Sequence, residues 1–583
     1  AGSVPGGTNA NLTNYLRGDQ SNEPPAGARY RAREYLLGDI VNSAPAYIGG
    51  GTTTMVIRGQ TVTLSLSDGV LDLGHDKLPA AGGGASYKSF LATKAARSEG
   101  VVFVGANDGM LHGFRNSTGA EVFAFVPRAV LPNMHQLAQR TYAHRYFVDG
   151  PNVEADACLG GGSCTWKNLL VGTAGAGAKS VYALDVTSPM AMTTTSVLWE
   201  IDTSIPAFSS TLGHVLSDVQ TGYAKNGQWV AVFGNGYESA NGAAVLYIVN
   251  LQTGALIRSI AVDTTGSNGL GGVRLVQDAN KVIVGAYAGD LKGKMWRFDL
   301  SDASPSNWFH AKDASTPTPL WTGPTNQPIT TAPVLVPHPL GGHVVAFGTG
   351  KLYQDTDVSS TTTQAMYGVW DSVPFGSTTF TSTWALTSTD TLVLQTISSA
   401  IAGTKVVTAS NLTTSTVTVN YYQVSRNPVN WGTAAAPVKR GWYIQWPNSG
   451  QRVIYTPTVL EGRIVQVGTM TPISDVAADP CLQSNRGKAW NYVIDALTGR
   501  GPSTPTMDTN NNGIIELTDG LQSGIETTAD GETKTIKNNT ESTGELRVFD
   551  PLKEIQDPKI GVSCATNQNC AFVNRSWRQL FPR

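Results

Sequence analysis

One unit recurs along this chain and constrains its fold more than any other feature. An apolar run closes on glycine, a polar turn follows, and a second apolar run closes on aspartate or asparagine. Residues 101–105 lead to 110–114, 169–172 to 181–185, 230–234 to 246–250, 282–285 to 295–299, 344–348 to 366–371, and 464–468 to 492–495. The marker glycines (Gly105, Gly172, Gly234, Gly285, Gly348 and Gly468) stand 67, 62, 51, 63 and 120 residues apart. Repetition on this scale marks solenoids, propellers or arrays, and four of the spacings suit one four-stranded blade each. The 120-residue interval holds two blades or one with a large insertion. A small residue and a proline precede several units, at Ala44-Pro45, Gly150-Pro151, Ala332-Pro333 and Thr456-Pro457. Proline at the first residue of a strand sacrifices no ladder hydrogen bond, so these pairs predict strand starts. The pattern predicts an all-β β-propeller with loop insertions, with stacked β-sandwich domains as the runner-up.

Composition agrees. The 63 glycines and 30 prolines among 583 residues punctuate short strands and are costly inside helices. Only 14% of residues are Asp, Glu, Lys or Arg, against about 25% in a typical soluble domain, and the 41% hydrophobic content argues against disorder. A net charge of −2 leaves no basic footprint for nucleic acid or an anionic membrane. No apolar run approaches the roughly 18 residues of a transmembrane helix, and the opening Ala-Gly-Ser-Val-Pro-Gly-Gly is not a signal peptide. The best helical spacing lies at residues 132–142, through Met134, Leu137 and Ala138. Residues 377–421, rich in Thr and Ser, predict exposed strands or a long insertion.

Cys158 and Cys164 flank a short polar loop, as do Cys564 and Cys570. That spacing reads as local disulfides in an oxidising compartment. Zinc is the rival, though the spacing suits it poorly. Cys481 is free, or its partner lies in a part of the chain beyond this sequence.

The sharpest chemical motif spans residues 508–519 and follows D-x-[DN]-x-[DN]-G at its first six positions. Calcium takes six to eight oxygens, so the loop places them on alternate residues. Asp508, Asn510 and Asn512 supply side-chain oxygens, Gly513 the sharp turn, Ile514 a backbone carbonyl, and Glu516 a direct or water-bridged carboxylate. Asp519 stands at position twelve, where glutamate is usual. The bland alternative is a solvated turn rich in Asx residues. Arg17-Gly18-Asp19 is an integrin-type tripeptide, and composition alone yields such a tripeptide often. The stretch 172–180 resembles a phosphate loop, but Ala178 separates the last glycine from Lys179, so it reads as a turn. No His-Glu-x-x-His or Gly-x-Ser-x-Gly occurs. A quinone seated in a propeller is the enzymatic rival, without adjacent cysteines or a regular tryptophan signature to support it.

The motifs together resemble a known family. Tyr15-Leu16-Arg17-Gly18-Asp19, residues 37–45, residues 105–114, the calcium loop after residues 492–499, and the closing Ser576-Trp577-Arg578-Gln579-Leu580 are similar, in order, to the C-terminal domain of the PilC/PilY type IV pilus proteins. The resemblance spans essentially the whole chain. It implies a modified seven-bladed, quinoprotein-like β-propeller at residues 36–583, after a lead-in at 1–35 from a variable N-terminal region that often holds a von Willebrand A-like domain. It implies Ca2+ held by Asp508, Asn510, Asn512, Ile514 and Glu516, where the family's last ligand is typically aspartate. It also implies a non-enzymatic, exported factor that promotes pilus extension against retraction, supports twitching motility, and acts with pilins and minor pilins. Such a factor sits at the pilus tip or outer cell surface, and in the periplasm during assembly. Adhesion to a host-cell receptor would draw on Arg17, Gly18 and Asp19. The other readings are a periplasmic quinoprotein-like dehydrogenase and a general surface lectin or scaffold.

Overall fold

The computed structural model describes residues 9–27, 29–50, 52–57, 60–65, 72–161, 164–310, 317–380, 384–408, 414–434, 436–472, 488–507, 509, 515 and 517–527. In all six recurrent units, the run ending in the marker glycine pairs antiparallel with the run that follows it. Gly105 lies opposite Leu111, Gly172 opposite Tyr182, Gly234 opposite Leu246, Gly285 opposite Asp299, Gly348 opposite Met366 and Gly468 opposite Asn491. The four prolines each stand one residue before a strand: Ala46–Ile48, Asn152–Leu159, Val334–Pro337 and Thr458–Glu461.

The closing acid has a local cause. A side-chain oxygen of Asp185, Asn250, Asp299, Asp371 and Asp495 accepts the backbone amide two residues on, at 2.9, 3.0, 3.1, 3.1 and 2.9 Å. Such Asx turns imitate a backbone turn and redirect the chain at the strand's end. The marker glycine has a different cause. A Cβ at Gly234 would stand 2.2 Å from the Gly271 carbonyl oxygen, and one at Gly348 would stand 2.5 Å from the Val453 side chain. Both neighbours lie beyond the unit that carries the glycine, so a side chain there would push the following chain away.

The architecture is an all-β β-propeller. Among the described residues the strands form two sheets of four strands, one each of nine, five and six, and a separate hairpin, Thr52–Ile57 with Gln60–Ser65. Seven separate blades are not distinguished, for two reasons. The nine-stranded sheet fuses two repeats, because Gln220–Ala224 runs parallel to Val282–Asp290. The 120-residue interval is shared between sheets. Leu392–Gln395 and Gly441–Gln445 extend the five-stranded sheet, whereas the hairpin of Ile401–Thr408 and Thr414–Tyr422 joins the six-stranded one by pairing with Gly524–Thr527. The helix expected at 132–142 is instead a 3-10 run at Arg128–Ala138 with Pro132 inside it. Proline has no amide to donate, which disfavours an α-helical continuation. Short α-helices stand at Asn9–Leu16 and Tyr87–Ala95. No helix among the described residues is long and apolar enough to cross a membrane.

The recurrent units pack on one another in chain order. Phe103 and Leu111 share an apolar cluster with Leu170 and Tyr182, and Leu169 and Val181 with Ala231 and Tyr247. Val232 and Leu246 then join Ala286 and Trp296, Tyr287 and Met295 join Phe347 and Tyr367, and Ala346 and Trp370 join Val465 and Tyr492. Interior strands such as Trp229–Gly234 and Ala365–Asp371 are therefore buried along their whole length. Between the fourth and fifth units a buried ion pair adds a polar tie. Arg297 Nε lies 2.9 Å from Asp371, both side chains fully buried. Asp371 also accepts the Tyr287 hydroxyl at 2.6 Å and the Trp384 indole at 2.9 Å, and Phe375 lies 4.0 Å from the guanidinium.

Asp371→Ala deprives that guanidinium of its nearer counter-charge, leaving Asp299 at 3.4 Å, and takes the acceptor from two buried donors, the Tyr287 hydroxyl and the Trp384 indole. Unfolding free energy is expected to fall by about 3–5 kcal/mol, measured by denaturant titration. The paired change Arg297→Met with Asp371→Leu is expected to lose less, because it removes both charges of the pair, and what it still loses comes from the Tyr287 and Trp384 donors that Asp371 served.

Candidate functional site

Strand Gly524–Thr527 pairs with Lys488–Asp495, and the chain between them carries the candidate calcium loop. Asp508, Asn510, Asn512, Ile514 and Glu516 lie outside the described residues, but the mouth of the loop is defined. Asp519 is 1% exposed. Its carboxylate accepts the Thr509 amide at 2.8 Å, and the Thr509 hydroxyl donates to the Asp519 carbonyl at 2.8 Å. The Thr506 hydroxyl donates to the Gln522 carbonyl at 3.3 Å. Positions two and twelve are thus held together, as a closed twelve-residue loop requires. A donor set made only of oxygens, with a buried carboxylate at its mouth, fits a hard cation such as calcium.

The Arg17-Gly18-Asp19 tripeptide stands elsewhere, at the end of helix Asn9–Leu16. Gly18 has a φ of 105°. Its amide donates to the Tyr15 carbonyl at 3.0 Å, and the Asp19 amide donates to the Asn14 carbonyl at 2.9 Å. This pair of bonds is a Schellman motif, which favours glycine at the left-handed position. The glycine therefore has a folding role of its own. Arg17 and Asp19 are exposed. The Asp19 carboxylate accepts the Ser21 amide at 2.7 Å, which holds it below the usual carboxylate range.

A third cluster surrounds the signature residues 37–45 and 105–114, which the sequence marked without assigning them a role. Asp108 accepts the Gly38 amide at 2.8 Å, and Asn107 donates to the Asp39 carboxylate at 2.9 Å. His144 meets Asp39 at 2.9 Å, and Asn42 donates twice to Asp149, at 3.0 and 2.6 Å. His112 lies between Asp108 at 3.0 Å and Glu121 at 2.6 Å. These contacts stitch the incoming segment to the first sheet. Recurring Asp, Asn and His letters were the signal; their pairing across about 70 residues was not readable from spacing. The expected Cys158–Cys164 disulfide is present, closing the hairpin between Asn152–Leu159 and Thr165–Thr173. Cys481, Cys564 and Cys570 lie outside the described residues.

The PilY1 beta-propeller domain family matches residues 37–409. The chain belongs to the PilY1 family. Among its relatives, a type IV pilus biogenesis factor PilY1 homolog of Xylella fastidiosa is 34% identical over 514 residues, covering 84% of this chain and 31% of the relative. Type IV pilus biogenesis factor PilY1 of Pseudomonas aeruginosa strain PAK is 34% identical over 532 residues, covering 86% of this chain and 41% of the relative. The chain thus spans well under half the length of these PilY1 relatives. The crystal structure of the Pseudomonas aeruginosa PilY1 C-terminal domain superposes with a TM-score of 0.64 at 29% identity, covering 83% of this chain and 94% of that one. The resemblance drawn from the signature motifs is borne out.

Two outcomes follow from this geometry. At Gly18 an added Cβ would find only the Leu36 methyl at 3.5 Å, so Gly18→Ala meets a conformational rather than a steric penalty. A loss of about 1–2 kcal/mol is expected, seen as faster amide exchange in residues 9–19. For His112, burial opposes the imidazolium, but hydrogen bonds and charge from Asp108 and then Glu121 outweigh it and raise the pKa. With the folded value above the unfolded one, near about 6.5, its stabilisation is complete below that pH. It is lost as pH rises through the raised value. Ring-proton titration by NMR should place the His112 midpoint above the ordinary one, and His112→Gln should remove this component from stability measured against pH. His75 and His338, pushed down to about 4 mainly by burial, titrate in a separate window.

Proposed function

We propose that this chain is the calcium-binding β-propeller module of a type IV pilus biogenesis factor that promotes pilus extension against retraction and so supports twitching motility. The observation that carries this reading is the match to PilY1 relatives over 84–86% of the chain. Their names state a pilus biogenesis role, and none of these names describes a dehydrogenase, so the dehydrogenase reading is not favoured. The module is exported, passes through the periplasm, and works with pilins and minor pilins at the pilus tip or outer surface. Arg17 and Asp19, exposed beside the helix end, serve as an accessory adhesive site for a host-cell receptor.

Asp508, Asn510, Asn512, Ile514 and Glu516 hold Ca2+, with Asp519 fixing the loop's mouth through Thr509. When bound, the ion supplies the positive charge that lets Asp508 and Glu516 approach one position. The occupied loop favours extension and the empty one permits retraction. Asp508→Ala should weaken calcium binding by orders of magnitude in calorimetry, since it removes a direct oxygen and a counter-charge. In the full-length factor it should also reduce surface pili, with partial recovery in Asp508→Lys, whose ammonium replaces the ion's charge. Absence of calcium binding by the parent, or equal piliation in parent and Asp508→Ala, overturns the calcium mechanism. Asp19→Glu tests the adhesive site: integrin binding equal to the parent's removes it.

A further inference from the structure

An enclosed group of charges ties helix Tyr87–Ala95 to the second sheet. Lys94, near the helix's end, has a side chain only 1% exposed. Its Nζ stands 2.9 and 3.1 Å from the two carboxylate oxygens of Asp156 and 2.6 Å from Glu154 Oε1. Glu154 and Asp156 are two positions apart on strand Asn152–Leu159, so they share a face of the sheet. Asn168, opposite Asp156 on strand Thr165–Thr173, donates its amide to both carboxylates at 3.0 Å. Arg97 donates to the Asn168 side-chain carbonyl at 2.9 Å, which fixes the direction of that amide. The Tyr87 hydroxyl donates to Asp156 at 3.0 Å. Aromatic rings enclose the group: Phe90 lies 5.8 Å from the ammonium, and His75 and Trp166 lie 5.1 and 4.6 Å from the Tyr87 ring. Burial raises the Asp156 carboxyl above the ordinary carboxylate range, although the Lys94 charge opposes that rise.

We propose that Lys94 and Asp156 condense into an intramolecular isopeptide bond, with Glu154 relaying the protons. Two carboxylates face one ammonium here, and enclosed charge without full pairing is costly. Forming the amide removes two of these three charges and leaves Glu154, whose side chain at 13% exposure is the member nearest solvent. The step balances without oxidant or reductant. A turn of the Asp156 carboxyl presents its carbon to Nζ; the C–N bond forms and a C–O bond breaks. Nζ gives up two of its three protons, and both end on the departing oxygen as one water. Glu154, at 2.6 Å, takes the first proton, which frees the nitrogen lone pair, and returns it to that oxygen. The Asn168 amide and the Tyr87 hydroxyl donate to the Asp156 oxygens, where negative charge builds during the attack. The fold holds the reacting groups together, so no encounter between them has to be found. The bond joins positions 62 apart. It encloses strands Val101–Gly105, Leu111–Arg115 and Glu121–Phe125 of the first sheet in one covalent ring, and unlike the Cys158–Cys164 bridge it is indifferent to reductant.

Intact mass spectrometry of the full chain, denatured and with its disulfides reduced, tests this directly. The expected mass is below that of the sequence by one water, about 18 Da, and digestion should release a branched peptide joining Lys94 to Asp156. Glu154→Gln keeps an acceptor for Lys94 and Asn168 but cannot take a proton. The unmodified mass should predominate in that variant, because losing the relay slows the step by roughly 100-fold or more. Its far-ultraviolet circular dichroism should match the parent's, which separates loss of the bond from loss of the fold. A parent of unaltered mass, or Lys94 joined to any residue other than Asp156, overturns the proposal. A water loss undiminished in Glu154→Gln overturns the role given to Glu154.

Discussion

A strand buried on both faces has no solvent side to fall back on, so a sheet of such strands is stable only while its neighbours are in place. Ala365–Asp371 is the plainest instance here, buried from end to end. Much else follows from that dependence. Backbones of successive repeats approach closely where Gly234 meets Gly271. Tight exits are made by short oxygen-bearing side chains instead of by further strands. Where a charge is enclosed between units, as at Arg297, it arrives with acceptors around it, the Asp371 and Asp299 carboxylates and the Val373 and Pro374 carbonyls.

The sequence made the strands and their exits legible because their causes are local. Continuous apolar runs, glycine at one end and an Asx residue at the other all act within a few positions. The assignment of strands to sheets was not legible, because it depends on pairing between units. Nothing in the residues around Tyr223 or Val282 announces that they lie opposite each other in a parallel register. The Thr-rich stretch illustrates the same limit. Strands were one of two readings there, beside a long insertion, and the choice between extending the sheet before it and joining the sheet after it is made by Gly524–Thr527, about a hundred residues on. The helix read at 132–142 failed for a local reason that was visible, since Pro132 interrupts the turn it was meant to open.

The candidate site divides in the same way. The candidate calcium loop is written in consecutive residues, so Asp508 to Glu516 could be proposed from the letters alone, and the structure adds the closure of its mouth by Thr509 and Asp519. The tripeptide at Arg17 to Asp19 was legible as letters, yet its glycine answers to the helix that precedes it. Least legible was the stitching of residues 37–42 to the first sheet. Asp39, Asn107 and His144 acquire meaning only when three distant segments are side by side.

The cross-link between Cys158 and Cys164 has a consequence for timing. It lies within one hairpin, with the cysteines six positions apart. Contacts on that scale form within about 10–100 ns, whereas the apolar clusters require partners tens of residues downstream. The two thiols can therefore meet as soon as their own hairpin emerges, before the next sheet exists to pack against, and the bond itself then waits only on the compartment's oxidant. A loop so short stabilises the finished domain by only roughly 2 kcal/mol. Its larger contribution falls on the nascent chain: it fixes the register of one sheet's first two strands while the sheets after it are still unmade.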